Sequence, residues 1–334
     1  MRREAQNDGR SVVTIGTFDG AHRGHRSLVE RCVAAADRIE SETGARPEVA
    51  ALVFDPHPMT YVRPEMAPPR LTTFEHRREL LRSFGADRVV RREPTGSLMS
   101  RSPSGFVDWL VEELAPVWIV EGPDFRFGKG RAGDVTALSQ LGAARGDDLR
   151  FGVEVAPELR VALNDHHVAR ASSSLVRWLV THGRMADAAL VLGRAYELDG
   201  VVTRGDRRGR TIGYPTANVE TDGLLPADGV YAGWVDGRDA SGVQRRMPAA
   251  ISVGRKPTFT ETARVCEAHV LDAARDDVRL AGFEEYGWAI RVSFVGWLRD
   301  QVKFEGIEGL LGQMERDCAR ARGMLGVAMA GSSG

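Results

Sequence analysis

The segment Gly16–His25, with the sequence GTFDGAHRGH, constrains the fold of this chain most strongly. It follows the apolar run Val12–Ile15 and precedes a helical pattern with apolar residues at positions 28, 29, 32, 33, 36 and 39. This pattern predicts a strand, a glycine turn and a helix. The start of a helix offers free N–H groups and a positive dipole end to a phosphate. A lone H-x-x-H spacing is more typical of solvated histidines, whereas the preceding strand and three glycines favour a phosphate site.

The composition narrows the class of protein. A length of 334 residues predicts two domains, and a formal net charge of −1 argues against a broad nucleic-acid-binding surface. We find neither an apolar run of membrane-spanning length nor a signal-peptide pattern, so we expect a cytoplasmic protein with no membrane partner. The three cysteines, Cys32, Cys266 and Cys318, lack metal or disulfide spacing, which fits a reducing compartment. The sequence leaves the oligomeric state open.

The first half of the chain alternates predicted strands and helices. The predicted strands are Val12–Ile15, Val49–Phe54, Arg88–Val90 and Val117–Glu121; the predicted helices are His25–Ile39, Phe74–Phe84 and Ser104–Leu114. Continuous apolar strands between helices favour a parallel sheet covered on both faces. Ligands of such sheets bind beyond the carboxyl ends of the strands. We therefore expect three loops to line one cleft: Gly16–His25, Asp55–Pro58 and Gly122–Asp134.

The second half is rich in short β patterns. After two short helices predicted within Ser172–Gly193, the predicted strands are Val201–Thr203, Gly229–Val235, Ala249–Val253, Val265–Leu271 and Ala289–Phe294, and a final helix spans Ile307–Met324. Strands of this spacing predict an antiparallel barrel or sandwich. We expect domains at residues 1–187 and 188–326, followed by a flexible tail at 327–334.

Three further motifs in the first half have chemical potential. Asp55 and His57 lie in the rigid turn FDPHP, which is as typical of an ordinary loop as of a site. The loop Gly122–Asp134 combines cations, glycines and phenylalanines, which favours binding of a planar ring and phosphates over a purely solvated loop. Three serines at 172–174 with Arg177 fit either a helix N-cap or a phosphate clamp.

Together these motifs resemble the adenylyltransferase module of bacterial bifunctional riboflavin kinase/FAD synthetases, over residues 11–185. The resemblance implies a Rossmann-like α/β nucleotidylyltransferase fold. It also implies a reaction in which the FMN phosphate attacks the α-phosphorus of ATP and pyrophosphate leaves. His22 and His25 are then catalytic. The resemblance assigns ATP and phosphate binding to Gly16, Phe18, Asp19, Gly24, Ser173, Ser174 and Arg177. It assigns flavin or substrate binding to Asp55, His57, Asp124, Phe125 and Arg131.

A second strong motif, GDRRGRTIGYPTAN, occupies residues 205–218. We interpret it as a basic glycine loop that leads into a rigid P-T-A-N turn. Glycines and arginines suit a phosphate flap, here Gly209 and Arg210, and the oxygens of Thr216 and Asn218 suit Mg²⁺ held with nucleotide phosphates. The motif resembles the riboflavin kinase module, over residues 193–322. The resemblance implies a six-stranded β-barrel with a terminal helix.

Glu267 lies within the apolar run Val265–Leu271. Alternation alone places it on the solvent face, opposite Cys266 and Ala268. By resemblance, it is the base that takes the proton from the riboflavin 5′-hydroxyl before attack on the γ-phosphate of ATP, and Arg299 helps to hold flavin or phosphates. The segment Ala273–Gly287 departs from the short loop that the family has there.

The sequence thus predicts a Mg²⁺- and ATP-dependent enzyme that converts riboflavin to FMN and then FMN to FAD. Its expected partners are the small molecules ATP, riboflavin and FMN. The alternatives are a paralog that acts on a flavin analogue, a paralog that retains one activity, and a flavin-binding regulator without catalysis. A nucleotidylyltransferase for another cofactor leaves the P-T-A-N half unexplained.

Overall fold

A computed structural model describes residues 9–205, 214, 216–255, 264–271 and 283–327. The chain divides into two compact units. The first consists mainly of residues up to 161, and the second contains most of the chain from Ser174 onward. Short segments of each lie elsewhere in the sequence: residues 169–173 belong to the first unit, and residues 69–72 and 162–168 belong to the second.

The first unit is a parallel sheet between helices. Its strands and helices, in chain order, are β1 (Ser11–Gly16), α1 (Arg23–Thr43), β2 (Glu48–Phe54), α2 (Met59–Val62), α3 (Phe74–Ser83), β3 (Arg88–Arg92), α4 (Gly96–Met99), α5 (Pro103–Leu114), β4 (Pro116–Glu121), β5 (Arg126–Phe127), β6 (Gly133–Asp134), α6 (Val135–Ala143) and β7 (Gly152–Val155). Short 3-10 helices occupy Pro64–Met66, Lys129–Arg131 and Asp147–Leu149. Strands β8 (Arg160–Ala162) and β9 (Val168–Arg170) form a separate two-stranded sheet.

The main sheet has the order β3-β2-β1-β4-β7, and all of its pairs are parallel. Neighbouring residues of β1 face opposite sides: Val12 packs in a core with Val29 and Cys32 of α1, and Val13 packs in a second core with Leu110 of α5. The predicted sheet, covered on both faces, is therefore confirmed. Strand β7 and helix α6 were not predicted; β7 is a short edge strand with three partly buried residues and an exposed Val155.

The second unit begins with α7 (Ser173–Thr181, of which Ser173 belongs to the first unit) and α8 (Met185–Leu192). Six antiparallel strands then form a closed barrel in the order β10-β11-β14-β13-β12-β15. They are β10 (Tyr196–Thr203), β11 (Ala217–Glu220), β12 (Gly229–Arg238), β13 (Gln244–Arg255), β14 (Arg264–Val270) and β15 (Ala289–Arg299), followed by α9 (Ile307–Leu325).

The six-stranded barrel and its terminal helix confirm the fold predicted for this half. Helix α9 packs on the barrel through Cys318 and Ala321, which contact a core that includes Val230 and Leu298. All three cysteines are buried and free. No helix among the described residues has the length and apolar character required to cross a membrane.

Candidate active sites

The turn after β1 has a tightly specified backbone. Phe18 and Ala21 adopt φ angles of 50° and 38°, in the left-handed region, and Gly20 between them has a φ of 80°. The Ala21 N–H donates to the Phe18 carbonyl at 2.8 Å. The Phe18 ring is buried in the core and meets His25 edge-on, with ring centroids 5.2 Å apart. The buried ring therefore anchors a turn that few side chains tolerate.

His22 and His25 lie together at the start of α1. Their rings are stacked, with centroids 3.6 Å apart and an interplanar angle of 19°. His22 is the N-cap of the helix, and its Nδ1 accepts from the His25 backbone N–H at 3.4 Å. A Cβ atom on Gly24 would lie 3.0 Å from the His22 ring, so glycine is the residue that leaves this ring in place. The structure thus brings both predicted catalytic histidines to a helix N-terminus.

The serine–arginine motif divides between the two units. Ser173 Oγ donates to the backbone carbonyl of Asp19 at 2.7 Å, which ties the start of α7 to the turn after β1. Asp19 is buried. Ser174 and Arg177 belong to the second unit, where Arg177 Nε donates to the Pro69 carbonyl at 2.7 Å.

A buried arginine that the sequence analysis missed supports the same turn. Arg77 on α3 donates to the Thr17 carbonyl at 2.7 Å and forms an ion pair with Asp55 at the end of β2. Arg91 on β3 pairs with the other oxygen of Asp55 at 2.5 Å. His57 is partly buried, and its Nδ1 accepts from the Met59 N–H at 3.1 Å. The carboxylate of Asp55 therefore joins the ends of two strands and α3 around the glycine turn.

The loop Gly122–Asp134 is structured rather than open. Phe127 is buried among α5 and β4 residues, and Phe125, partly buried, stacks on it with centroids 5.6 Å apart. Asp124 pairs with Arg170 at 2.7 Å. Arg131 is exposed and has a φ of 60°. Of the two phenylalanines, only Phe125 retains a partly exposed ring for a ligand.

The predicted kinase residues lie on adjacent barrel strands. Asn218 of β11 is directly opposite Glu267 of β14, and Glu267 is directly opposite Ser252 of β13. Directly opposed side chains share one face of a sheet. Asn218, Glu267 and Thr216 are all partly buried. Thr216 and Asn218 carry neutral oxygens, and Glu267 carries a carboxyl group; these are ligand types that Mg²⁺ accepts.

One prediction for this segment was wrong. Ala217 and Asn218 begin strand β11 rather than ending a turn, because they pair with Ala268 and Glu267 of β14. Position 205 requires glycine, because a Cβ atom there would collide with the side-chain amide of Asn218. Gly209, Arg210 and most of Ala273–Gly287 lie outside the described residues.

Arg299 and Ser252 have clear partners. Arg299 Nε lies 3.0 and 2.9 Å from the two carboxylate oxygens of the buried Asp317 on α9, and its Nη1 donates to the Asp300 carbonyl. Arg299 therefore links β15 to α9. Gln301 Nε2 donates to Ser252 Oγ at 2.8 Å and lies next to the Glu267 row of the barrel. Neither Ser252 nor Gln301 was among the predicted site residues.

Comparison with known proteins gives the class and then the family. The family model described as FAD synthetase matches residues 4–171, and that described as riboflavin kinase matches residues 192–325. This chain thus combines a parallel-sheet FAD synthetase module with a barrel riboflavin kinase module.

Curated relatives match almost the whole chain. The bifunctional riboflavin kinase/FMN adenylyltransferase of Escherichia coli K12 is 32% identical over 319 residues, covering 95% of this chain and 93% of the relative. The enzyme of the same name from Listeria monocytogenes is 32% identical, covering 92% of this chain and 90% of the relative. The enzyme of the same name from Bacillus subtilis is 30% identical, covering 93% of this chain and 92% of the relative. The chain belongs to the bifunctional riboflavin kinase/FMN adenylyltransferase family.

One solved structure has the same fold. It is described as a macrolide-efflux protein from Streptococcus pneumoniae, with a TM-score of 0.77, 24% identity and 96% of each chain covered. At this identity the likeness shows the fold alone.

Proposed function

We propose that this chain phosphorylates riboflavin to FMN in its barrel unit and adenylylates FMN to FAD in its parallel-sheet unit. The observation that carries the proposal is a pair of sites: stacked His22 and His25 at a helix N-terminus, and Asn218 opposite Glu267 on neighbouring strands. Family membership supports both reactions, because the relatives carry both in their names. We assign residues 1–187 and 188–326 to the two activities.

Adenylyl transfer requires no side-chain nucleophile. The FMN phosphate oxygen attacks the α-phosphorus of ATP, the bond to the β-phosphate breaks, and pyrophosphate leaves. His22, His25 and the positive N-terminal end of α1 stabilise the phosphate oxygens as negative charge develops. Gly16, Phe18, Asp19 and Gly24 shape this cradle, and Ser173 supports it by donating to the Asp19 carbonyl. Catalysis here consists of positioning and charge stabilisation.

The flavin part of this site is formed by loops. We propose that Phe125 stacks on the flavin ring and that Asp124 and Arg131 bind its polar groups. Asp55 and His57 orient the FMN phosphate from the neighbouring strand end. Because the Asp55 carboxylate binds Arg77 and Arg91, we expect it to act through these arginines.

In the barrel unit, Glu267 accepts the proton of the riboflavin 5′-hydroxyl. The hydroxyl oxygen then attacks the γ-phosphorus of ATP, and ADP leaves. We propose that Thr216 and Asn218 hold Mg²⁺, which when bound neutralises charge on the ATP phosphates. We propose that Gly209 and Arg210 bind the ATP phosphates, as the resemblance to the riboflavin kinase module implies. Arg299 supports the flavin side of the site through its ion pair with Asp317.

Two variants test the division of labour between the sites. His25→Ala removes a phosphate donor, so we expect FAD formation to fall by about 10²-fold or more while FMN formation stays within about twofold. Glu267→Gln removes the base, so we expect FMN formation to fall by about 10²-fold or more while FAD formation from supplied FMN is retained. His167→Ala, on an exposed side chain, and Glu308→Gln, on α9, are controls of the same residue types.

The assay is chromatographic separation of riboflavin, FMN and FAD after incubation with ATP and Mg²⁺. FMN formation from riboflavin and FAD formation from supplied FMN are assayed separately, and loss of both reactions in either folded variant would contradict independent sites. A wild-type chain that forms only one product would instead support the single-activity paralog. Flavin binding without any turnover of ATP would support a regulator.

A further inference from the structure

Strands β1 and β4 separate at the carboxyl end of the sheet. Residues 11–16 of β1 pair along their whole length with β2, whereas pairing with β4 ends at Val13. The order β3-β2-β1-β4-β7 reverses direction between β1 and β4. In open α/β sheets, ligands bind in the crevice outside the strand ends at such a reversal. The last residues of β1 and β4 therefore border the crevice of the adenylyl-transfer unit.

Glu121, the last residue of β4, bridges this gap with its side chain. Its Oε1 accepts from the Ile15 backbone N–H at 2.5 Å. In a continuing parallel ladder, a backbone carbonyl of β4 would accept that N–H. Glu121 is only 2% exposed, and its own backbone carbonyl accepts from the Ala156 N–H at 2.8 Å. The carboxyl thus satisfies the end of β1 while the two strands stay apart.

We propose that Glu121 is a positioning residue for adenylyl transfer: by accepting the Ile15 N–H across the gap, it sets the position of the glycine turn that receives ATP. This inference rests on the proposed function of the first unit. Ile15 directly precedes Gly16, and Glu121 directly precedes the loop Gly122–Asp134. One side chain therefore connects the start of the phosphate loop with the start of the flavin loop.

The chemistry of the carboxyl agrees with this role. Burial raises the pKa of Glu121 well above its usual range, and the charge of Asp124 acts in the same direction. A neutral carboxyl still accepts a hydrogen bond, as does a glutamine amide. The role thus needs an oxygen at the correct distance, not a negative charge.

Three variants of Glu121 distinguish the contribution of the accepting oxygen from those of the charge and of the side-chain length. Glu121→Gln keeps an acceptor of the same length. Glu121→Met keeps the length without a comparable acceptor, and Glu121→Asp withdraws the oxygens by one methylene group. The exposed Glu112→Met on α5 is the matched control. The measurements are KM for ATP and kcat in FAD formation from supplied FMN, with FMN formation by the same preparation as the control for the barrel unit.

We expect Glu121→Gln and Glu112→Met to remain within about twofold of wild type. We expect Glu121→Met and Glu121→Asp to raise KM for ATP about tenfold, with a smaller change in kcat and none in FMN formation. Should Glu121→Met fail to fold, Glu121→Asp still decides the outcome. An unchanged KM in Glu121→Asp, or a Glu121→Gln variant as impaired as Glu121→Asp, would overturn the inference. A wild-type chain that forms no FAD would overturn the proposed function instead.

Discussion

Removing one member of the buried ion pair between Arg77 and Asp55 should destabilise the first unit. Their side chains are 3% and 9% exposed, and Arg77 also donates to the Thr17 carbonyl. Arg77→Met leaves a buried carboxylate with Arg91, which is 54% exposed, as its remaining ion-pair partner. Removing one member of a buried pair costs about 3–5 kcal/mol. Because Arg91 remains, we expect a loss of about 3 kcal/mol.

Hydrogen exchange read by mass spectrometry is the appropriate assay, because a two-unit chain need not unfold in one step. A loss of about 3 kcal/mol corresponds to roughly 10²-fold faster exchange in peptides of β1 and β2. Peptides of the barrel strands in the same sample should be unchanged. Since Arg77 holds the Thr17 carbonyl, FAD formation should also fall, whereas FMN formation should not.

Two companion variants make this reasoning refutable. Asp55→Asn combined with Arg77→Met removes the unpaired charge, so it should recover at least about 1 kcal/mol relative to Arg77→Met alone. Glu30→Gln breaks the exposed Arg26–Glu30 pair on α1 and should cost less than about 0.5 kcal/mol. An Arg77→Met loss below about 1 kcal/mol, or a double variant no more stable than the single one, would refute the argument.

Two further predictions concern Gly24 at the start of α1 and Tyr231 in the barrel. Gly24→Ala places a Cβ atom 3.0 Å from the His22 ring, so it should lower FAD formation about tenfold without changing FMN formation. The control is Gly96→Ala on α4, which should change neither activity because the new Cβ atom meets open space. Burial raises the pKa of Tyr231 to about 12, so the folded chain keeps a proton that the unfolded chain loses above its ordinary value of 10.0. Stability should therefore fall as pH rises from about 10 to 12, and Tyr231→Phe should reduce this fall. Urea unfolding across that pH range checks the second prediction, and a pH slope identical in both chains would contradict it.

The sequence predicted the elements whose patterns are local. The apolar runs of β1, β2 and β4 and the amphipathic face of α1 lie where the periodicity places them. Strand β11 was missed, because four residues after a proline have too little pattern to distinguish a strand from a turn. Its identity comes from pairing with β14, which lies almost fifty residues further along the chain.

The residues of the candidate sites also divide into those that a local pattern identifies and those whose contacts come from distant parts of the chain. His22 and His25 are recognisable because glycines and a strand surround them in the sequence. Arg77 and Glu121 are not recognisable, because their contacts depend on the order of the strands in the sheet. In the sequence, Arg77 is one charged residue on a polar helix face, and Glu121 is the polar residue that ends a strand pattern. Their partners, Thr17 and Ile15, lie 60 and 106 residues away.

The central claim is that one chain carries two successive ATP-dependent reactions on riboflavin. The most direct test is chromatography of the products that the purified chain forms from riboflavin, ATP and Mg²⁺ over time. The account predicts that FMN appears first and FAD follows, with ADP and pyrophosphate as the other products. Formation of FMN that is never converted to FAD, or of neither product by a folded chain, would contradict it.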